Sequence, residues 1–73
     1  MNIETINRNA ISLWRLMNDG TSWCYNKIRQ MTHLSDREIN AAIGWLARED
    51  TLEIVLDPVS HEETYKVHQF WEV

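Results

Sequence analysis

Apolar residues recur at spacings of three and four between Ile3 and Met17. Ile3, Ile6, Ala10, Leu13 and Met17 fall on one side of a helix, and Trp14 widens that stripe. Asn18-Asp19-Gly20 ends the helix, with Gly20 suited to the left-handed conformation that closes helices. Thr21-Ser22-Trp23 is a short β-favouring piece. After it Tyr25, Ile28 and Met31 return to helical spacing, which predicts a short second helix ending near Thr32. Thr32-His33-Leu34 makes the next turn, where His33 is expected at positive φ, a conformation His tolerates better than branched residues do.

Ser35-Asp36-Arg37-Glu38 has the spacing of a capping box. The Ser35 hydroxyl accepts from the Glu38 amide while the Glu38 carboxylate reaches back to the Ser35 amide. A third helix therefore starts here, with Ile39, Ala42, Ile43 and Leu46 as its inward stripe, and runs to about Asp50. From Leu52 the period changes to two: Leu52, Ile54 and Leu56 alternate with Glu53, Val55 and Asp57. Asp57-Pro58-Val59-Ser60-His61 reads as a turn, and Tyr65 and Val67 alternate with Thr64, Lys66 and His68 in a second strand. Helix, short strand, helix, turn, helix, hairpin is the order of a winged helix-turn-helix. The expected class is α+β, mainly α, with a three-helix core and a C-terminal β-hairpin wing.

A length of 73 residues leaves room for one core, so residues 1–73 are read as one domain. A chain this short buries only ~60% of its unfolded surface, which makes homodimerisation a natural way to gain contacts. Trp14, Trp23, Trp45 and Trp71 are a heavy aromatic load, expected to make much of the core. No apolar run approaches the ~20 residues that cross a bilayer, and Met1-Asn2-Ile3-Glu4 lacks a basic region followed by an apolar block. These features predict a cytoplasmic protein with no membrane partner. Cys24, the only cysteine, excludes an internal disulfide and a paired-cysteine zinc site and is expected to be a small, partly buried apolar residue.

The net charge of −4 is unevenly spread. Residues 21–34 carry Lys27 and Arg29 and no acid, whereas 51–73 carry Glu53, Asp57, Glu62, Glu63 and Glu72 against Lys66.

The stretch Ala42-Ile43-Gly44-Trp45-Leu46-Ala47-Arg48-Glu49-Asp50 stands with Asn9-Ala10, Trp14 and Thr32-x-Leu34-Ser35-Asp36 upstream. Together they resemble a family of small bacterial winged helix-turn-helix proteins of unknown function, over nearly the whole chain. The resemblance implies the fold and, by analogy of architecture, nucleic-acid binding; it implies no substrate, cofactor or catalytic residue. The sequence departs from the family pattern at His33, where glycine is common, and at Thr51, where lysine is common. The second change removes a positive charge at the entrance to the wing.

At about 100° per residue the third helix turns Arg37, Ala41, Gly44 and Arg48 outward. Two arginines thus flank a floor with almost no side chain. In a helix-turn-helix this helix enters the major groove, where arginine donates bidentately to guanine and asparagine reads adenine. Arg37, Asn40 and Arg48 are the candidate contacts to double-stranded DNA, assisted by Lys27 and Arg29. Against this stand the few cations and the acidic wing tip of Asp57, Glu62 and Glu63, which repels phosphates. The alternative is an acidic winged helix that binds another protein or itself through Trp45, Phe70 and Trp71, and the tail Gln69-Phe70-Trp71-Glu72-Val73 is apolar enough to pack on the first helix or on a partner. Gly44 costs ~1 kcal/mol relative to alanine inside a helix, an expense that close helix packing would offset. His33, His61 and His68 have no metal-ligand spacing, Ser35 has no nearby base, and Glu62-Glu63 reads as a solvated pair. Neither an enzymatic activity nor a cofactor nor a small-molecule substrate is expected.

Overall fold

A computed structural model describes residues 1–68. Helix α1, Ile3–Met17, is capped by Asn2, whose side chain accepts from the Thr5 amide at 2.8 Å. Beyond the Asn18 cap the chain reverses through Gly20 at φ 76°. The Asp19 carboxylate holds this reversal, accepting from the Thr21 amide and hydroxyl at 3.0 and 2.7 Å and from Trp23 Nε1. Strand β1, Trp23–Cys24, runs directly into helix α2, Tyr25–Thr32. That helix closes on His33 at φ 58°, whose amide donates to the Arg29 carbonyl, so the positive φ expected of His33 is present.

Helix α3, Asp36–Arg48, begins with both halves of the Ser35–Glu38 capping box formed, at 3.0 and 3.2 Å. It stops at Arg48, short of the expected Asp50, because Asp50 takes φ 58° and the Thr51 amide and hydroxyl both donate to the Leu46 carbonyl. Strands β2, Leu52–Leu56, and β3, Glu63–Val67, form the hairpin. Its turn is built on Asp57, whose side chain accepts from the Val59 and Ser60 amides, with His61 at φ 60°. The sheet order is β1-β3-β2, all antiparallel, with Trp23 opposite Tyr65 and Leu52 opposite Val67.

The core lies where the three helices meet the base of the sheet. Ala10, Leu13 and Met17 of α1 and Ile28 of α2 pack with Ile39, Ala42, Ile43 and Leu46 of α3, all buried. Trp23, Leu52, Tyr65 and Val67 close it from the sheet. Each large side chain buried this fully contributes about 1.5–3 kcal/mol. The trihelical core with its hairpin wing is the expected architecture.

Several expectations about individual side chains fail, and for related reasons. Of the three described tryptophans only Trp23 is buried; Trp14 and Trp45 are half-buried at the margin, and Trp71 lies outside the described residues. Cys24 is exposed, because neighbouring strand residues face opposite ways and Trp23 takes the inward position. Ile3 and Met31 sit on their helical stripes beyond the reach of any covering element and are exposed. In β2 only Leu52 is buried, leaving Ile54, Val55 and Leu56 open, since the hairpin projects past the helices and no described element covers its outer half. Close helix packing over Gly44 is likewise absent: a Cβ placed there meets nothing within 4 Å.

Candidate nucleic-acid interface

The outward side of α3 is built by its own inward side. With Ile39, Ala42, Ile43 and Leu46 anchored in the core, residues half a turn away must face solvent. Arg37, Gly44 and Arg48 lie within about 40° of one another around the axis, and Asn40 borders them. All four are exposed. Arg37 and Arg48 are separated by about 16 Å along the helix, three turns.

The capping chemistry governs the charge of this face. Both acids in the first turn of α3 are already occupied. Glu38 bonds Ser35, which holds its carboxyl below the usual carboxylate range, and the Asp36 carboxylate accepts from the Tyr25 hydroxyl at 2.7 Å. The latter bond, to the first residue of α2, ties the starts of the two helices together and raises the Tyr25 pKa. The ion pairs present among the described residues are Arg8–Glu4 and His68–Glu53, so Arg29, Arg37 and Arg48 have no acidic partner within 4.0 Å.

Lys27 and Arg29 do not form one patch. Two residues apart on α2, they leave the helix on nearly opposite sides, about 200° apart. The Lys27 ammonium lies 4.1 Å from the Trp23 ring centroid, a cation–π contact that holds it over β1. Arg29 is exposed without such a contact. Trp23 and Lys27 stand four apart in the sequence, but a strand-to-helix change between them hides their proximity from any single-period reading.

The wing tip remains acidic. Asp57, Glu62 and Glu63 are exposed, and the turn amides that bond Asp57 keep its carboxyl below the usual range and hence charged. Residues 1–48 carry six Lys and Arg against four Asp and Glu; residues 49–73 carry one against seven. The helices are mildly basic and the wing side acidic. Thr51 spends its hydroxyl on the end of α3, donating to the Leu46 carbonyl at 3.0 Å.

Trp45 lines a groove of about 680 Å³ between α1 and α3, with Ala10, Ile11 and Trp14 across from it. Sequence periodicity places Trp45 on the flank of the inward stripe but does not reveal this groove, which exists only because α1 crosses beside it. Phe70 and Trp71, the other aromatic candidates for partner contact, lie outside the described residues. Among the described residues no helix is long and apolar enough to cross a membrane.

No curated protein matches this sequence. Residues 1–66 match the model of a family described as winged helix-turn-helix domain (DUF2582). Three helices, the small antiparallel sheet and the hairpin wing agree with that description, and the chain belongs to this winged helix-turn-helix family.

Proposed function

We propose that this chain is a non-enzymatic DNA-binding or transcription-regulatory module that offers the outer side of α3 to the major groove. The observation that carries the reading is the exposed row Arg37, Gly44 and Arg48, in which both guanidinium groups lack an acidic partner among the described residues and none of these covers the backbone between them. Arg37 or Arg48 donates bidentately to guanine, the other meets phosphate, and Asn40 reads adenine at the border. Arg29 adds a phosphate contact from α2, while the acidic wing stays off the backbone rather than straddling it.

With two or three cations engaged, the affinity should fall roughly 10- to 40-fold between 50 and 200 mM salt. Titration of the domain with mixed-sequence duplex, followed by fluorescence anisotropy, tests this together with Arg37→Glu and Arg48→Glu. Each variant is expected to weaken binding and flatten the salt dependence by about one counterion. Absence of binding even at low salt rules the reading out.

A second reading, self-association, is favoured by one observation. β2 is an edge strand with Ile54, Val55 and Leu56 exposed, the kind of edge that pairs with another chain unless protected. In that case a second copy docks its own β2 there, and Leu56→Lys converts a dimer seen by sedimentation into a monomer. A strict monomer across a concentration series eliminates it.

A further inference from the structure

β2 is the open edge of the sheet, since no described strand lies beyond it. Which of its backbone groups face outward follows from the ladder with β3. The Thr51 carbonyl accepts from the His68 amide, and the Asp57 amide donates to the Glu62 carbonyl. Both pairs share the register that sets Glu53 opposite Lys66 and Val55 opposite Thr64. Bonded and non-bonded pairs alternate in an antiparallel ladder, so Glu53 and Val55 spend their amides and carbonyls on β3. Those of Ile54 and Leu56 point the other way, to the free edge. Their side chains are 51% and 58% exposed. No bulge interrupts the register, and β2 contains neither lysine nor proline, the usual means of protecting an edge.

The two faces beside this edge differ in chemistry. Ile54 and Leu56 share an apolar face with Leu52, whereas Glu53, Val55 and Asp57 lie on the other. On that second face β3 sets Lys66 against Glu53, His68 bonds the Glu53 carboxylate, and Glu62 stands opposite Asp57. Residues 49–63 as a whole carry six Asp and Glu and no Lys or Arg. A second copy would set one such acidic hairpin against another, while a basic strand is attracted to it.

We propose that β2 takes up an extended segment of a partner protein, running antiparallel, in which apolar and basic residues alternate. The apolar residues stand opposite Ile54 and Leu56 and exchange backbone hydrogen bonds with them, and the basic residues lie beside Glu53 and Asp57. This goes beyond the DNA reading and does not rest on it, because the edge belongs to the wing and the arginine row to α3. A second copy docking its own β2 is the rival occupant of the same edge.

The test titrates the isotope-labelled full chain with a synthetic peptide of about seven residues in which valine and lysine alternate. The amide signals of Ile54 and Leu56 are expected to shift most, with those of Arg37 and Arg48 unmoved. The valine N–H groups face β2 and the lysine N–H groups face away. N-methylation of the valines should therefore weaken binding about 10-fold or more, and N-methylation of the lysines should leave it nearly unchanged. Glutamate in place of lysine should abolish binding. Ile54→Pro removes one outward donor without touching the ladder to β3, and should weaken binding while the core NOEs of Leu13 and Ile39 persist. Absence of binding at low salt, equal binding by a peptide with its lysines and valines in separate blocks, or tolerance of valine N-methylation would each overturn the proposal. So would shifts of the Ile54 and Leu56 amides with protein concentration alone, which assign the edge to a second copy.

Discussion

Gly44→Ala separates what the molecule needs for itself from what it offers to others. Gly44 lies in the interior of the 13-residue helix α3 and is exposed. Glycine there costs about 0.8–1.0 kcal/mol relative to alanine, through the extra backbone freedom it loses on folding. The usual reason to retain it, close approach by a packed neighbour, is absent: the added methyl meets nothing within 4 Å. No steric term opposes the helix-propensity gain, so the substitution should stabilise by nearly the full amount. For a domain of this size 1 kcal/mol corresponds to about 4–8 °C in Tm. Denaturant unfolding followed by helical circular dichroism measures it, with an unchanged slope required for a two-state comparison. If alanine is neutral or destabilising, the backbone at this position is in contact with something in the native state, and the open floor on which the α3 reading depends does not exist. Gly44→Gln completes the comparison: it should also stabilise the fold, yet weaken DNA binding, because its longer side chain stands between the two arginines.

Other outcomes follow from the caps. Ser35→Ala should cost about 1 kcal/mol, seen as a lowered denaturation midpoint, since it leaves a first-turn amide of α3 without its acceptor. His33→Gly should raise Tm by a few degrees, because the left-handed region costs an L residue about 1–2 kcal/mol, more than glycine's added chain entropy. For acid, the sign is set by Asp19, Glu38 and Asp57, whose carboxyls are all held below their ordinary values by hydrogen bonds. Groups depressed in the folded state add stability above their unfolded pKa and lose it as pH falls through the folded one. Unfolding midpoints should therefore be flat near neutrality and decline below about pH 4.5; a midpoint that rises on acidification contradicts these bonds.

The sequence by itself determined the elements and the points where they stop. The stripe from Ala10 to Met17, the Ser35–Glu38 box, the turn at His33 and the change of period at Leu52 are all local. Each depends on residues within a few positions of one another, and hydrogen bonds at such range form in whatever surroundings the segment finds. The outward stripe of α3 was legible for the same reason, as the complement of its apolar side. Tertiary structure decided how far burial extends. Ile54 and Leu56 carry the same alternation as Leu52, and Met31 the same spacing as Ile28, yet only Leu52 and Ile28 lie beneath another element. It also decided which charges remain unmatched: Asp36 turns to Tyr25 and Lys27 to Trp23, while Arg37 and Arg48 keep their charges available. Periodicity says which side of an element is apolar, but only the placement of neighbouring elements says what covers that side, because burial is a property of two surfaces and a sequence stretch specifies one.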